Sequence, residues 1–176
     1  TISYGHGIAV SPLHLTSGVA TIVNGGIRWP VTILKRHAGQ QAVGKKVISS
    51  KTSLDMRRIL RLVVENGTGK KASANGYLVG GKTGTAEKQA VQGGYEKKLR
   101  LSSFVGAFPI HDPKYVVLVM VDEPKGNKES FGYATGGWVA APAVNRIVSR
   151  SAPLLGVHPK NELSPKIRQI LEIDIK

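Results

Sequence analysis

The chain has 176 residues, of which 41% are hydrophobic and 20% charged, a composition typical of one globular domain. It has no cysteine, which excludes disulfides, thiolate metal sites and cysteine nucleophiles. Its 25 basic and 11 acidic residues give a net charge of +14, and no apolar run reaches the roughly 20 residues that span a bilayer.

The positive charge is spread over several short basic clusters. Such a chain attracts polyanions, either nucleic acid or an anionic membrane surface. Because the clusters are separated and lack interleaved aromatic residues, they favour a solvated basic surface over a nucleic-acid groove. They are Lys35 and Arg36; Lys45 and Lys46; Arg57, Arg58 and Arg61; Lys70 and Lys71; and Lys97, Lys98 and Arg100.

The first predicted element is a helix that starts after Ser11 and ends at Asn24. Ser11 is a good N-terminal cap, and Pro12 suits the first helical turn. Gly25 suits the left-handed exit of the chain.

A short strand and a second helix are predicted next. Residues 29–34, with the sequence WPVTIL, predict the strand, and a polar stretch follows to about residue 46. The helix is predicted over 53–65, with Gly67 ending it. Its apolar face is expected to hold Leu54, Ile59, Leu60, Leu62 and Val63, and its solvated face Arg57, Arg58 and Arg61.

The second half of the chain predicts an antiparallel sheet with a helix after it. Residues 101–110 and 115–121 are apolar and β-rich, which predicts two buried strands. The four residues between them are of hairpin length, so the strands must be antiparallel. A strand over 77–87 would make three in sequence, and helices are predicted over 137–151 and around 167–171. The fold class is therefore α/β of the α+β type, an antiparallel sheet with flanking helices.

The stretch GYLVGGKTGTAEK matches two different functional patterns. From Gly76 to Thr83 it fits the GxxxxGKT pattern of phosphate-binding loops. From Lys82 to Thr85 it reads KTGT, the pattern of the active-site strand of penicillin-recognising serine enzymes. The two patterns require different folds and different substrates.

The surroundings of this stretch favour the strand over the phosphate loop. A nucleotide-binding loop follows a buried strand and opens a helix, whereas here a polar segment precedes Gly76 and Gly84 follows the threonine. An NTPase sheet is also parallel, although the apolar run before Asp122 and Glu123 resembles a magnesium-binding strand. A basic nucleic-acid-binding NTPase is kept as the remote alternative.

Glycines at 80, 81 and 84 weaken a strand and so require a reason. One reason is close approach of another backbone, as when an extended peptide substrate lies along the strand. A glycine-rich bulge without a ligand is the alternative explanation.

Four segments together resemble the C-terminal part of the transpeptidase domain of class B penicillin-binding proteins, most closely the division-specific septal type. The resemblance covers 1–155 and leaves 156–176 as a tail. The segments that carry it are YGHGIAVSPLHLTSGVATIVNGG, VVENGTGKKA with KTGTA, SSFVGAFPIHDPKYVVLVMVDEPKG and GGWVAAPAVNRIVSR. The implied fold is part of the one shared by penicillin-binding proteins and serine β-lactamases.

The resemblance implies acyl transfer on peptidoglycan stem peptides that end in D-Ala-D-Ala, with β-lactams as substrate mimics and no cofactor or metal. Lys82 and Thr85 are the implied catalytic residues: the ammonium assists proton movement, and the Thr85 backbone N–H is an oxyanion donor. The implied substrate-binding residues are Gly81, Thr83, Gly84 and Thr85, whose hydroxyls bind the substrate carboxylate while Gly84 leaves room for the peptide. The implied partners are divisome proteins, and nucleic acid is not among them.

The chain departs from the family in lacking the Ser-x-x-Lys nucleophile, because no serine has lysine three residues later. Ser73-Ala74-Asn75 spells the family's Ser-x-Asn element but lies too close to Lys82, so it is interpreted as loop. We therefore expect a fragment, inactive alone and able to self-associate through uncovered apolar surface. Its parent would be anchored in the bacterial inner membrane and face the periplasm.

Three other functions remain open from the sequence. A serine β-lactamase shares the KTG strand and would deacylate rapidly. A non-catalytic penicillin-sensing module would keep the strand without the chemistry. A nucleic-acid-binding module would lose its affinity steeply with salt.

The five histidines, His6, His14, His37, His111 and His158, lack metal-ligand spacing.

Overall fold

The structure is a computed structural model that describes residues 8–35, 37, 39, 42–89 and 94–173. His6, Arg36 and the side chains of Lys97 and Lys98 lie outside this description, as does the start of the first segment of the family resemblance. None of the helices in the described part combines the length and the hydropathy that crossing a bilayer requires.

The first helix, α1, runs over Pro12–Val23 and confirms the prediction at both ends. The Ser11 hydroxyl accepts a hydrogen bond from the His14 amide at 3.2 Å, which satisfies one of the free donors of the first turn. Asn24 caps the other end and Gly25 has a φ of +92°, a left-handed conformation that glycine adopts without strain.

The predicted strand over 29–34 is wrong. The structure places a two-residue strand earlier, β1 (Ile27–Arg28), antiparallel to β2 (Lys45–Lys46). A proline at 30 supplies no amide hydrogen to a ladder. The Thr32 hydroxyl accepts from the Leu34 amide at 3.0 Å and bends the chain locally. The apolar side chains of this run are exposed, so burial does not hold them in a sheet.

The second helix, α2 (Ser50–Glu65), begins three residues before the predicted start because Ser49 caps it. The Ser49 hydroxyl accepts from the Thr52 amide at 3.0 Å. The predicted division of its faces is partly wrong: Ile59 is 48% exposed, whereas Arg61, expected in solvent, is only 5% exposed. Arg61 is buried because its guanidinium has three polar partners.

Three antiparallel strands form the main sheet in the order β3-β4-β5, as predicted. They are β3 (Gly80–Gln89), β4 (Tyr95–Phe108) and β5 (Tyr115–Asp122). The strand β3 starts at Gly80 and not at 77 because Leu78 has a φ of +43°, outside the extended region. The expectation that both hairpin strands are buried holds for the later part of β4, while β5 is mostly half-buried, as a sheet edge is.

Helices cover the sheet on both faces. The helix α3 (Gly136–Ser151) packs Ala140, Val144 and Val148 against one face, around Phe104 of β4. On the other face Leu78, Ala107 and Ile110 contact Val23 of α1 and Leu60 of α2. The short helix α4 (Pro165–Leu171) adds buried Ile167 to this second cluster. The boundary predicted at residue 155 stays a prediction.

Glycines allow β3, β4 and α3 to approach closely. A Cβ added at Gly81 would lie 2.6 Å from the Phe104 ring, and one at Gly84 would lie 2.5 Å from the Ser103 hydroxyl. A Cβ at Gly136 would lie 2.6 Å from the Gly84 carbonyl oxygen. The strand glycines therefore accommodate the chain's own packing, and the approach of a substrate expected from the sequence stays a prediction.

Alanine substitutions at two helical glycines should have opposite effects on the free energy of unfolding. Gly136→Ala should destabilise by about 2 kcal/mol or more, because the new methyl group overlaps backbone atoms that cannot move aside. Gly18→Ala in α1 should stabilise by about 0.5–1 kcal/mol, since nothing lies within 4 Å of its Cβ. Urea unfolding measures both values. Equal effects of the two substitutions would contradict the close contact of α3 with β3.

The hairpin turn between β4 and β5 holds a half-buried histidine. Burial lowers the pKa of His111, and its Nδ1 atom has no hydrogen-bond partner among the described residues. The main-chain oxygen of His111 accepts from the Arg57 guanidinium at 2.9 Å, and burial likewise lowers the pKa of Arg57. The turn is thus held to α2 while the imidazole stays neutral.

The free energy of unfolding should fall as the pH drops below about 6.5, the ordinary pKa of histidine. A lowered pKa in the folded state means that the unfolded chain takes up the proton first, so acid favours unfolding through this group. In His111→Gln the decrease between about pH 7 and pH 5 should be smaller than in the wild type. Urea unfolding across this pH range tests it, and an unchanged slope would contradict the assignment.

Candidate functional site

The KTGT segment lies in the extended strand β3, hydrogen-bonded to β4 in register. Lys82 pairs with Val105, Thr83 with Phe104, Gly84 with Ser103 and Thr85 with Ser102. A phosphate-binding loop would require Thr83 to open a helix after a curled backbone. Since Thr83 lies inside a strand of an antiparallel sheet, the NTPase alternative is wrong.

Two threonine hydroxyls connect β3 to the segments beside it. The Thr83 hydroxyl lies 2.9 Å from the Thr68 hydroxyl, in the loop before the 3₁₀ turn Lys70–Ala72. The Thr85 hydroxyl accepts a hydrogen bond from the Gly136 amide at 3.2 Å, at the first residue of α3. The Thr135 side chain makes no capping bond at this helix end. The Thr85 hydroxyl of β3 supplies the cap instead.

Both hydroxyls keep a hydrogen that can be donated to an anion. A hydroxyl has one donor and two acceptor positions, and Thr85 uses an acceptor position towards Gly136. In the Thr68–Thr83 pair either oxygen can be the donor. When Thr68 donates, the Thr83 hydrogen is available, and both threonines can bind one carboxylate.

The Lys82 side chain is exposed and folds back along its own strand. Its Nζ donates to the Thr83 carbonyl oxygen at 2.9 Å, which uses one of its three hydrogens. Two donors and the full positive charge remain available to a group that lies beside the strand. No acidic side chain is recorded as an ion-pair partner of Lys82 among the described residues.

An open depression lies beside the two threonines, between β3 and the start of α3. In it the Lys71 ammonium lies 3.5 Å from the centre of the Trp138 ring, a cation–π contact. Phe131 packs edge-on against the same indole, with ring centres 5.8 Å apart. The lining residues are Thr68, Lys70, Lys71, Thr83, Thr85, Thr135, Gly137 and Trp138.

Sequence reasoning missed part of this depression. Lys71 belongs to the basic clusters interpreted as solvated surface, and the sequence suggested no role in a site for Thr68 or Trp138. The position of Trp138 two residues into a helix that follows a glycine-rich loop was the available signal, whereas Thr68 gave none. Gly81 is buried against Phe104, and Gly84 is half-buried beside Ser103. Their predicted roles in substrate binding stay predictions.

The far end of β3 is tied to β5 by charge. Lys88 donates to Glu123 at 2.7 Å and to Asp122 at 2.9 Å, and these hydrogen bonds raise the pKa of Lys88. The acidic pair is therefore used in an exposed ion pair. In the described ranges, no group of three or more histidine or acidic side chains is placed to hold a metal.

The Ser73-Ala74-Asn75 segment lies in the loop between the 3₁₀ turn and β3, as interpreted from the sequence. Its alanine is nevertheless buried in the core beside α3. The Ser73 carbonyl oxygen accepts a hydrogen bond from the Asn145 amide of that helix. This segment is thus packed as part of the approach to β3.

Removing the Thr85 hydroxyl should cost about 1–2 kcal/mol of unfolding free energy, because the buried Gly136 amide loses its acceptor. Thr85→Val tests this with nearly the same shape, and Thr85→Ser is the control that keeps the oxygen. Urea unfolding should show the loss in the valine variant only. Equal stability of the two variants would contradict the cap.

The chain matches known proteins over most of its length. The family described as penicillin binding protein transpeptidase domain matches residues 1–149. A relative from Caulobacter vibrioides, named probable peptidoglycan D,D-transpeptidase FtsI, is 46% identical over 170 residues. That match covers 92% of this chain and 29% of the relative, so the chain spans under a third of the relative's length.

Solved structures show the same fold. The transpeptidase domain of penicillin-binding protein 3 from Burkholderia pseudomallei superposes with a TM-score of 0.79 at 40% identity. The match covers 92% of this chain and 47% of the Burkholderia domain. Penicillin-binding protein 3 from Mycobacterium tuberculosis, in complex with ampicillin, superposes with a TM-score of 0.76 at 26% identity. That match covers 93% of this chain and 39% of the other. The matched residues include α1, α2, the whole sheet and nearly all of α3, so the chain belongs to the penicillin-binding protein transpeptidase domain family.

Proposed function

We propose that the chain supplies the substrate-binding strand of a peptidoglycan D,D-transpeptidase. The observation that carries the proposal is an extended KTGT strand whose ammonium and two hydroxyls lie at the surface of a transpeptidase-family fold. The substrate is a stem peptide that ends in D-Ala-D-Ala, and its terminal carboxylate is the anion that these groups bind.

The reaction is acyl transfer through a serine ester. A serine attacks the penultimate carbonyl, D-Ala leaves, and an amine from a neighbouring peptide takes the acyl group. Lys82 lowers the cost of proton movement at the serine, and the Thr85 amide stabilises the oxyanion. Thr83 and the Thr85 hydroxyl orient the carboxylate, Gly84 leaves room for the peptide, and Gly81 lies beside it on the same strand.

The nucleophile comes from residues other than these 176, which contain no Ser-x-x-Lys. We propose that it lies on a segment of the complete gene product that packs beside β3. The complete protein is then a division-specific enzyme, anchored in the inner membrane and facing the periplasm. It acts with divisome proteins.

The same strand predicts binding of β-lactams, which mimic the substrate. A relative that superposes on this chain was solved with ampicillin bound. A serine β-lactamase and a non-catalytic penicillin-sensing module remain the competing functions, and the lifetime of the acyl-enzyme separates them. A transpeptidase keeps the adduct, a β-lactamase releases it rapidly, and a sensing module without the serine forms none.

Labelling with a fluorescent penicillin tests the proposal. The complete gene product should form a stoichiometric, denaturation-resistant adduct, whereas the 176-residue chain alone should form none. In the complete protein, Lys82→Ala should lower the second-order labelling constant by about 10²- to 10⁴-fold, the usual contribution of a positioned proton-transfer group.

Lys88→Ala is the matched control, because it removes the same charge from the same strand. Lys88 is tied to Asp122 and Glu123, so its loss should change the labelling constant by less than about threefold. Similar losses of the labelling constant in both variants would mean that Lys82 acts only through its contribution to the net charge. A labelled 176-residue chain, or an unlabelled complete protein, would refute the proposal.

A further inference from the structure

The buried arginine of α2 reaches the residue that precedes β3. The Arg61 side chain is only 6% exposed, and all three of its nitrogen groups are used. Its Nε donates to Glu65 at 2.8 Å, on the same helix. Its Nη1 donates to the carbonyl oxygen of Val79 at 3.0 Å. Val79 is the last residue before β3.

The third group of Arg61 binds the tail of the chain. Its Nη2 donates to Glu162 at 2.6 Å, and the other carboxylate oxygen of Glu162 accepts from the Gly76 amide at 3.1 Å. The Lys160 amide also donates to the Gly76 carbonyl oxygen at 2.8 Å. Glu162 thus joins α2 to the loop that leads into β3, and it lies beyond the residues that match the family.

The segment held by these bonds has an unusual backbone. Leu78 is 1% exposed with a φ of +43°, and Gly76 has a φ of +81°. A leucine in the left-handed region costs free energy, and the surrounding contacts must compensate for it. The Leu78 carbonyl oxygen accepts from Ile110 at 2.8 Å on the sheet side, while Arg61 holds the next carbonyl from the helix side.

Any shift of this entry segment moves the KTGT residues, because Lys82 follows Val79 by three residues. The pairing of β3 with β4 begins at Gly80, so Val79 and the residues before it are held by other contacts. Charge-assisted hydrogen bonds from a guanidinium, of which Arg61 makes one to each of three acceptors, are strong and directional. Such bonds define a position, which exposed lysine pairs do not.

We propose that Arg61 and Glu162 are positioning residues that set where β3 enters the active site, so that the C-terminal tail takes part in catalysis without touching the substrate. This inference rests on the proposed transpeptidase function. The tail fixes the loop at Gly76, Arg61 fixes Val79, and together they determine where the Lys82 ammonium and the Thr85 amide lie.

The two carboxylates bound to Arg61 provide a matched pair of substitutions in the complete gene product. Glu162→Leu removes the tail contact and the acceptor of the Gly76 amide. Glu65→Leu removes a carboxylate from the same guanidinium without touching the entry to β3. We expect the penicillin labelling constant to fall at least about tenfold for Glu162→Leu and to change less than about threefold for Glu65→Leu. Arg61→Met should lower it at least as much as Glu162→Leu.

Hydrogen exchange provides a second measurement that does not depend on activity. At a temperature where circular dichroism shows every variant fully folded, amides of residues 80–85 should exchange faster in Glu162→Leu than in Glu65→Leu. Amides of α3 should exchange alike in both variants. Should Arg61→Met fail to fold, both measurements can still be made on Glu162→Leu, because the Glu162 side chain is 28% exposed and its replacement disturbs the core less.

The outcomes separate this inference from the proposed function. Equal labelling losses in the two glutamate variants, or unchanged exchange over 80–85 in Glu162→Leu, would overturn the positioning role. A lowered melting temperature with unaltered labelling at low temperature would also overturn it, because that pattern marks a purely structural contact. A wild-type protein that takes no label would refute the transpeptidase proposal, and the exchange experiment would still decide the positioning role.

Discussion

The close packing of β3 against its neighbours is the constraint on which the site depends. Ordinary side chains at 81 and 84 would overlap the Phe104 ring and the Ser103 hydroxyl, and one at 136 would overlap the Gly84 carbonyl. Because all three positions are glycine, α3 begins directly against the strand. Its first amide then reaches the Thr85 hydroxyl, and a residue of the candidate site becomes part of the helix cap.

The elements with strong local signals could be predicted from the sequence. Ser11 with Pro12 located α1, and two apolar runs separated by a short turn located the antiparallel hairpin. KTGT was placed on a strand because a polar segment precedes Gly76 and because Gly84, directly after Thr83, disfavours a helix there. These features depend on residues close together in the chain, so a single sequence contains enough information to find them.

The features that sequence reasoning missed depend on contacts between distant residues. Arg61 has the spacing of a solvent-facing position, and two of the three partners that explain its burial are distant in the chain: Val79, 18 positions away, and Glu162, 101 positions away. The run at 29–34 has strand propensity but forms no strand in the described part of the chain, so propensity alone gave the wrong element. The internal contacts of the β3 glycines could not be predicted either, since Phe104 and Gly136 approach them only in the folded chain.

Lys82 lies on a strand whose second edge pairs with no other strand in the described part of the chain. Exposed edges of this kind are templates for the growth of intermolecular β-structure. Natural sheets counter that hazard with charged side chains and bulges, and β3 has both, with Lys82 and Lys88 beside the irregularity at Glu87. A charged side chain at position 82 therefore also disfavours pairing of this edge with a strand of another molecule, whether or not a ligand is bound.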